Sequence, residues 1–499
     1  MQPKHVGIIG AGVSGLATAK VFLSQGHEVT LFEQADSLGG VWAPSRHYPG
    51  VRLQIKRQCY AFSDFPMPSH YPEFPTGQQI YEYLEAYARH FDVLQKVRFK
   101  SQVVSIVPRP DNLPGWRLNE RNLADGSNSA ADFDFVVVCN GIFSLPQIPE
   151  IPGRKQFEEN GGIVLHSTQL RNTKKLAGRD VAVVGFGKSA LDIAEAVLAD
   201  ARSSTLVFRR TLWKFPHRLW GRAHINHFIL SRFTEIWFPH PDMGSLRRFL
   251  HTRLSPLVDL YWWLSERIIG GQVGLTTLGL RPDIPLRQAA ACLTLAADNL
   301  KAVREGRIGL RRGSVARFIP SGLELEDGST IDTQAVILAT GFRQECRFLG
   351  AREAAALFDA SGRIRLYRFL INPDTPAMGF NGYNGVGSCQ LMAEVGACWL
   401  VRFMEGRLRL PNREAMLANI REENELRSQL LSVKLGGGYY SSPFTFGYVD
   451  QLLRDLGLPP ADRHKRLFKW LFEPIKPSDY QGILQRPADA AANLASDQH

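Results

Sequence analysis

The stretch that decides the fold is VAVVGFGKSALDIA, residues 181–194. Four apolar residues lead into a glycine-rich turn, and a run with helical spacing follows. A strand, a glycine turn and a helix in this order are typical of a dinucleotide-binding unit, because glycines let the backbone approach a pyrophosphate at the start of the helix. The stretch therefore predicts a nucleotide-binding unit in the middle of the chain.

A second unit with the same layout stands at the start of the chain. The apolar stretch His5–Ile9 predicts a strand, the turn runs through Gly10, Gly12 and Gly15, and residues 14–25 have helical spacing. A further predicted strand over 28–32 ends directly before Glu33, 23 residues after Gly10. A carboxylate at this spacing accepts hydrogen bonds from ribose hydroxyls, so the three glycines and Glu33 predict a binding site for FAD.

The two units differ after their second predicted strand. Phe208 lies 23 residues after Gly185, and Arg209 and Arg210 follow it. A guanidinium pairs with a 2′-phosphate, which favours NADPH over NADH. The alternative is that both arginines only end a strand at the surface. We expect NADPH to bind at Gly185, Gly187, Lys188, Ser189, Ala190, Arg209 and Arg210.

Two further apolar stretches close the two halves. Each begins with an aspartate, continues as an apolar predicted strand and ends in a turn of small residues; they are DFDFVVVCNG (132–141) and DTQAVILATG (332–341). Such strands end near a pyrophosphate or at a domain crossing, so we expect Gly141, Thr340 and Gly341 to contact the cofactors. The predicted fold class is α/β, with two doubly wound Rossmann-like dinucleotide-binding domains, the NADPH domain inserted into the FAD domain. The predicted boundaries are 1–165 and 331–485 for the FAD domain, 166–330 for the NADPH domain, and 486–499 for a disordered tail.

The overall composition is that of a globular enzyme. Hydrophobic residues make up 44% and charged residues 21% of the 499 residues, and the net charge is +11. The basic residues are scattered, which disfavours nucleic-acid binding. The six cysteines form no CxxC and no metal-ligand pattern, so we expect free thiols, no metal and a cytoplasmic location, and a dithiol-using reductase is disfavoured. The uncharged stretch 375–393 indicates a loop rather than a transmembrane segment, and no signal peptide precedes the first predicted strand.

Together these motifs resemble the flavin-containing monooxygenases, and GKSALDIA most resembles their plant-type branch. The resemblance implies that NADPH reduces FAD, that O2 then forms a C4a-hydroperoxide, and that one oxygen atom passes to a nucleophilic nitrogen or sulfur of a small-molecule substrate. It also implies flavin contacts at Gly40, Val41 and Trp42, although Trp42 is equally well explained as an ordinary buried aromatic. Besides the two glycine turns, the motifs that carry the resemblance include GGVW (39–42), FSDFP (62–66), ATGF (339–342) and FNGY (380–383).

The chain departs from the family pattern at two places. Gly162 and His166 of the family's identifying stretch are present, but Asn160 and Leu170 replace its flanking aromatics. Animal-type members have an asparagine over the flavin at the position of Gln54, which keeps an amide but is longer. Gln54 is therefore the predicted catalytic residue, with a surface polar residue as the alternative.

Three other functions stay open. A Baeyer–Villiger enzyme acting on a ketone is disfavoured by Leu170, because that branch has Trp-Pro at the end of its identifying stretch. A reductase without oxygen chemistry is disfavoured by the missing CxxC. An NADPH-binding sensor without turnover stays open because of Gln54 and the altered identifying stretch.

The segment 213–300 is unusually rich in aromatic residues. Its charges exclude a membrane span, and the remaining interpretations are an inserted helical layer, a lid over the substrate and a peripheral membrane contact. We favour a helical layer with a lid. Residues 412–434 predict an amphipathic helix, and the sequence does not indicate an oligomeric state.

Overall fold

Strands and helices alternate along much of the chain. The computed structural model describes residues 2–111, 113–240, 243–288, 294–295, 300–360, 362–384, 387–430, 444–462 and 465–484. The strands are β1 His5–Ile9, β2 Glu28–Phe32, β3 Val97–Arg98, β4 Ser101–Pro108, β5 Trp116–Asn122, β6 Asn128–Phe133, β7 Phe135–Val138, β8 Leu145–Pro146, β9 Ile163–His166, β10 Asp180–Val184, β11 Ser203–Phe208, β12 Lys214–Phe215, β13 Arg218–Leu219, β14 Ala223–His224, β15 Thr294–Leu295, β16 Ile308–Arg312, β17 Val315–Ile319, β18 Gly322–Leu325, β19 Thr330–Asp332, β20 Ala335–Leu338, β21 Phe342–Arg343 and β22 Met378–Phe380.

The helices surround these strands. They are α1 Val13–Ser24, α2 Gly77–His90, α3 Arg154–Glu159, α4 Lys188–Ala196, α5 Asn226–Ile229, α6 Arg232–Ile236, α7 Ser245–Thr252, α8 Ser255–Val273, α9 Leu300–Arg304, α10 Ala351–Leu357, α11 Cys389–Met404, α12 Arg413–Leu430, α13 Thr445–Asp455, α14 Leu467–Phe472 and α15 Gln481–Leu484. In the part of the chain covered by the structure, no helix is long and apolar enough to cross a membrane.

The first parallel sheet carries the N-terminal glycine turn. Its strand order is β22-β7-β1-β2-β3, and each neighbouring pair is parallel. The four residues of β7 are buried, as expected for a strand covered on both faces. The turn between β1 and α1 therefore lies at the carboxyl edge of the sheet, where ligands bind in doubly wound folds.

The second parallel sheet carries the other glycine turn, in the order β16-β11-β10-β20-β9. Its neighbouring strands are also all parallel. The sheet begins at Ile163 and ends at Leu338, whereas the sequence places the second domain between 166 and 330. The difference arises because β20 pairs with β10, and β9 then pairs with β20.

Each unit also has a small antiparallel sheet of its own, and the two chain passages between the units pair with each other. In the first unit, the antiparallel sheet β4-β5-β6 directly precedes β7 of the parallel sheet. In the second unit, the antiparallel sheet β17-β18-β19 directly precedes β20. The outgoing passage β8 and the returning passage β21 pair with each other, antiparallel. The chain thus leaves and re-enters the first unit through two adjacent passages.

The segment between β11 and β16 contains the inserted helices α5–α8. Arg232 in α6 donates to Asp450 and to Asp462, each at 2.6 Å. The buried Glu235 accepts hydrogen bonds from the backbone nitrogens of Phe446 at 2.6 Å and Gly447 at 2.9 Å, at the start of α13. These contacts attach the inserted helices to the C-terminal region.

Two sequence-based expectations for the C-terminal half have different outcomes. The stretch 375–393 was expected to be a loop, but its residues 378–380 form β22 and Cys389 begins α11. The loop interpretation is wrong for these residues, because pairing with β7 holds the glycine-containing β22 in an extended conformation. The helix expected over 412–434 appears as α12, 413–430. The rest of that stretch, 431–434, and the tail 486–499 lie outside the described residues.

Candidate cofactor and substrate site

The first turn leaves no room for side chains at two of its glycines. Gly10 has a φ of +103°, and a Cβ there would lie 2.7 Å from the carbonyl oxygen of Cys139. A Cβ at Gly15 would lie 1.8 Å from the carbonyl oxygen of Gly10. Gly12 precedes α1, so the first backbone amides of that helix face the open edge of the sheet. This is the geometry that receives a pyrophosphate.

Glu33 is fixed at the end of β2 and is buried. One carboxylate oxygen accepts the backbone N–H of Ala11 in the glycine turn at 2.9 Å, and the other accepts that of Ala35 at 2.9 Å. A carboxylate oxygen has two lone pairs, so both oxygens can still accept a further hydrogen bond. The position suits ribose hydroxyls that lie against the turn.

The second turn repeats the close approach of the first. Gly185 has a φ of +136°, and a Cβ there would lie 2.5 Å from the carbonyl oxygen of Ala339, at the end of β20. Gly187 precedes α4 and has open space around it. The buried Ala190 takes the place that Gly15 has in the first turn.

Arg209 and Arg210 follow β11 at the carboxyl edge of the second sheet. Both are exposed, and within the described ranges neither side chain has a hydrogen bond or ion pair to another residue. Two unengaged guanidinium groups beside this turn can accept a phosphate as their partner.

A cavity of about 1210 Å³ connects the two turns. The predicted site residues that line it are Gly10, Gly12, Glu33, Gly40, Val41, Trp42, Gln54, Gly141, Gly187, Lys188, Ser189 and Gly341. Gly15, Gly185, Ala190, Arg209, Arg210 and Thr340 do not line it. The first three of these shape the turns from behind, and the two arginines lie outside the cavity.

An interaction that the sequence did not predict links the two units at this cavity. The Tyr48 hydroxyl donates to Asp192 at 3.0 Å, and Lys188 forms an ion pair with the same carboxylate. Burial raises the pKa of Asp192 and the pKa of Tyr48. The only signal in the sequence is the four-residue spacing between Lys188 and Asp192, which identifies the ion pair but not its tyrosine partner.

Trp42 and Gln54 lie on the wall of the cavity that belongs to the first unit. Trp42 is buried, and its indole nitrogen donates to the Tyr60 hydroxyl at 2.9 Å. Gln54 is half-buried between Leu53 and Ile55, which line the same wall. Its amide can donate and accept hydrogen bonds within the cavity.

His166 and Thr340 hold the passage between the units. His166 is buried, with its Nε2 3.3 Å from the Gly341 carbonyl oxygen and its Nδ1 2.9 Å from the Thr168 hydroxyl. Burial lowers the pKa of His166. The Thr340 hydroxyl donates to the carbonyl oxygen of Gln147. Both side chains therefore stabilise the crossing between the units.

The part of the cavity that the inserted segment lines is largely apolar, and we call it the apolar chamber. The helices and hairpin of the inserted segment contribute rings and aliphatic side chains, with few hydrogen-bonding groups among them. They include Phe215, Leu219, Trp220, Ile225, Phe228, Ile229, Phe233, Phe238, Tyr261, Trp262, Ile268 and Ile269. An apolar chamber next to two nucleotide turns can hold a small organic molecule away from water.

The residues present fit FAD at the first turn and NADPH at the second. The glycine positions that a Cβ would fill, the carboxylate of Glu33 and the exposed arginines match what each dinucleotide needs. Two such turns on one cavity define a two-nucleotide flavoprotein oxidoreductase.

The comparisons with known proteins identify the family. The family described as flavin-binding monooxygenase-like matches residues 3–453, and the chain belongs to it. The chain is 32% identical to "Probable flavin-containing monooxygenase 1" of Arabidopsis thaliana, over 96% of this chain and 97% of that protein. It is 29% identical to "Dimethylaniline monooxygenase [N-oxide-forming] 2" of Oryctolagus cuniculus, over 93% of this chain and 85% of that protein.

A solved structure of cyclohexanone monooxygenase has the same fold. The TM-score is 0.68 at 18% identity, over 91% of this chain and 98% of that one. The expected fold class and the expected resemblance are both confirmed. The protein is an NADPH-dependent monooxygenase with FAD as its flavin.

Proposed function

We propose that the protein transfers one oxygen atom from O2 to a nucleophilic nitrogen or sulfur of a small molecule. The observation that carries this proposal is that one cavity is lined both by the two glycine turns and by the apolar side chains of the inserted segment. The N-oxide-forming activity in the name of the rabbit relative supports nitrogen as one acceptor. Sulfur, like an amine nitrogen, has an accessible lone pair and is the second proposed acceptor.

Each part of the site has a role in this reaction. The amides after Gly12 and the carboxylate of Glu33 hold FAD, and the turn before α4 with Arg209 holds NADPH. Bound FAD supplies the hydride acceptor and the oxygen chemistry. The apolar side chains of the inserted segment exclude water, and the Gln54 amide offers a hydrogen bond to a polar atom in the cavity.

Two alternatives make different demands on the same cavity. A Baeyer–Villiger reaction would take a ketone as substrate, and the leucine at the end of the identifying stretch argues against that branch. Leu170 is fully buried. A sensor without turnover would bind NADPH but would have no use for the apolar chamber, so the chamber favours an enzyme.

The first experiment supplies the FAD-loaded protein with NADPH and ¹⁸O2, in separate reactions with thioanisole, N,N-dimethylaniline and cyclohexanone. We expect one ¹⁸O atom in the sulfoxide or in the amine oxide and no lactone. A lactone as the main product would establish the Baeyer–Villiger alternative. Reduction of the flavin by NADPH with only peroxide formed would count against oxygen transfer to these acceptors, and failure of NADPH to reduce the flavin would favour the sensor.

We also propose a peripheral membrane contact through α7 and α8. Leu257, Leu260 and Leu264 are spaced along one face of α8 and are 51%, 49% and 44% exposed. Arg248 in α7 and Arg253, directly after α7, are exposed and precede α8 in the chain. A helix face of exposed leucines flanked by arginines is typical of binding to an anionic bilayer surface.

Sedimentation with vesicles of phosphatidylcholine and phosphatidylglycerol tests this contact. We expect Leu260→Glu to lose binding to the vesicles. Leu123→Glu is the control, because Leu123 is equally exposed at 49% but lies in the turn between β5 and β6. Equal loss of sedimentation in both variants, or in neither, would contradict the proposal.

A further inference from the structure

A short hairpin lies at the edge of the apolar chamber. Strands β13 and β14 pair through Arg218 with His224 and Leu219 with Ala223, which leaves residues 220–222 as the loop. Leu219 is buried and Trp220 is 66% exposed, and both line the cavity. A residue that is largely exposed and also lines a cavity lies at its opening.

The backbone of Trp220 is in a conformation that large residues rarely adopt. Its φ is +50°, in the left-handed region, which costs about 1 kcal/mol for a residue other than glycine. The indole does not repay this cost by burial, because most of its surface is exposed. Strained backbone held by the surrounding structure is often found at ligand-binding sites.

The side chain of Gln272 holds the hairpin in this conformation. Its amide oxygen accepts the backbone N–H of Trp220 at 3.1 Å, and its amide nitrogen donates to the carbonyl oxygen of Arg218 at 2.6 Å. Gln272 lies one turn after Ile268 in α8, and Ile268 is 37% exposed and lines the cavity. Trp220 and Ile268 therefore flank one opening of the chamber.

The opposite side of the hairpin is attached to the first unit. Arg218 lies 3.3 Å from the Glu73 carboxylate. The ring of Phe74 packs against those of both His217 and His224, with centroid distances of 4.4 Å and 5.7 Å. The hairpin thus spans from the FAD-binding unit to the inserted helix α8, across the edge of the chamber.

We propose that Trp220 controls which substrates enter the chamber, as a specificity-determining residue held in place by Gln272. The proposal rests on the proposed oxygen transfer only for the identity of the substrates. The indole restricts the width of the opening, so it discriminates by the size of the group attached to the reacting atom. The substrates admitted most easily are small aryl or alkyl sulfides and amines.

The test compares thioanisole with the bulkier benzyl phenyl sulfide in the FAD-loaded Trp220→Ala variant. We expect the ratio of kcat/KM for the bulky sulfide to that for the small one to rise about 10-fold, the size of a steric difference of this kind. Trp220→Phe is expected to restore most of the discrimination. The matched control is Trp263→Ala, because Trp263 is 50% exposed on α8 and does not line the cavity.

A second readout does not depend on turnover. The association rate of benzyl phenyl sulfide with the oxidised holoenzyme, followed by the change in flavin absorbance, is expected to rise in Trp220→Ala and to stay unchanged in Trp263→Ala. Anaerobic reduction of the flavin by NADPH is expected to be equal in all variants. If the wild-type protein binds the sulfides but does not oxygenate them, only the proposed function fails. If Trp220→Ala changes neither the ratio nor the association rate, the proposal for Trp220 is refuted.

Discussion

Gly15→Ala would place a methyl group where the structure has no room for one. The Cβ would lie 1.8 Å from the carbonyl oxygen of Gly10, whereas real Cβ atoms keep at least 3.0 Å from such atoms. Helix α1 and the turn must therefore move apart by about 1.2 Å. The oxygen belongs to the backbone of the turn itself, so no side-chain rotation can relieve the contact.

Two costs follow from this movement. Leu16 and Phe22 of α1 are completely buried, so displacing the helix disturbs a packed core and destabilises the fold by about 1–3 kcal/mol. The first amides of α1 also move away from the pyrophosphate. Loss of one hydrogen bond to a charged group costs about 1.5–3 kcal/mol, so we expect FAD affinity to fall about 10- to 100-fold.

FAD titration of the apoprotein, followed by flavin fluorescence, measures this loss, and thermal unfolding measures the change in stability. Ala190→Gly is the matched control, because Ala190 holds the same position in the second turn. It should cost only about 0.5–1 kcal/mol of stability and leave FAD affinity unchanged. A Gly15→Ala protein with wild-type FAD affinity would refute the assignment of FAD to the first turn.

Three further outcomes are expected. Arg209→Ala should raise the KM for NADPH about 10-fold, because one charge-assisted contact to the 2′-phosphate is lost. The KM for NADH should stay unchanged, because NADH has no 2′-phosphate. Arg202→Ala, at the other end of β11, is the control, and an equal change in KM for both coenzymes would argue against the phosphate contact. Tyr48→Phe should lower the free energy of unfolding by about 1 kcal/mol and slow anaerobic flavin reduction by NADPH, because the bond to Asp192 joins the two units; an unchanged reduction rate would exclude a role in cofactor approach. Burial raises the pKa of Glu394 from 4.5 to about 7, so the folded protein holds this proton more tightly than the unfolded chain, and stability that is present below pH 4.5 is lost as the pH rises to about 7. The Glu394→Gln variant should therefore be more stable than the wild type by up to about 3 kcal/mol at pH 8 and by little at pH 4.5. Urea unfolding at each pH measures this difference in the free energy of unfolding. An equal difference at pH 8 and pH 4.5 would contradict the raised pKa.

The sequence predicts the nucleotide turns because their signals are local. Gly10 and Gly185 are required by close backbone approaches, and glycine is the residue that such approaches demand. Glu33 and Arg209 each directly follow a strand, and the parallel pairing of that strand with its neighbour brings each residue to the carboxyl edge of its own sheet. Local strand and turn patterns are thus sufficient to predict the two glycine turns and the residues that follow the next strands.

Other features depend on contacts between distant parts of the chain. The sequence pattern of β20 fits a buried strand of either sheet, and only its pairing with β10 shows which sheet it joins. The bond from Tyr48 to Asp192 spans 144 residues, and no periodicity connects those positions. In the sequence, Trp220 is one aromatic residue among many in 213–300, and its position at the opening depends on Gln272 in another element.

The pairing of β8 with β21 has a mechanical consequence. A single linker lets two bodies twist and bend in any direction, whereas two strands tied side by side leave easy bending about one axis only. The hydrogen bonds from Thr340 to Gln147 and from His166 to Gly341 further stiffen the connection formed by β8 and β21. The two units can thus bend relative to each other about one axis more easily than about any other.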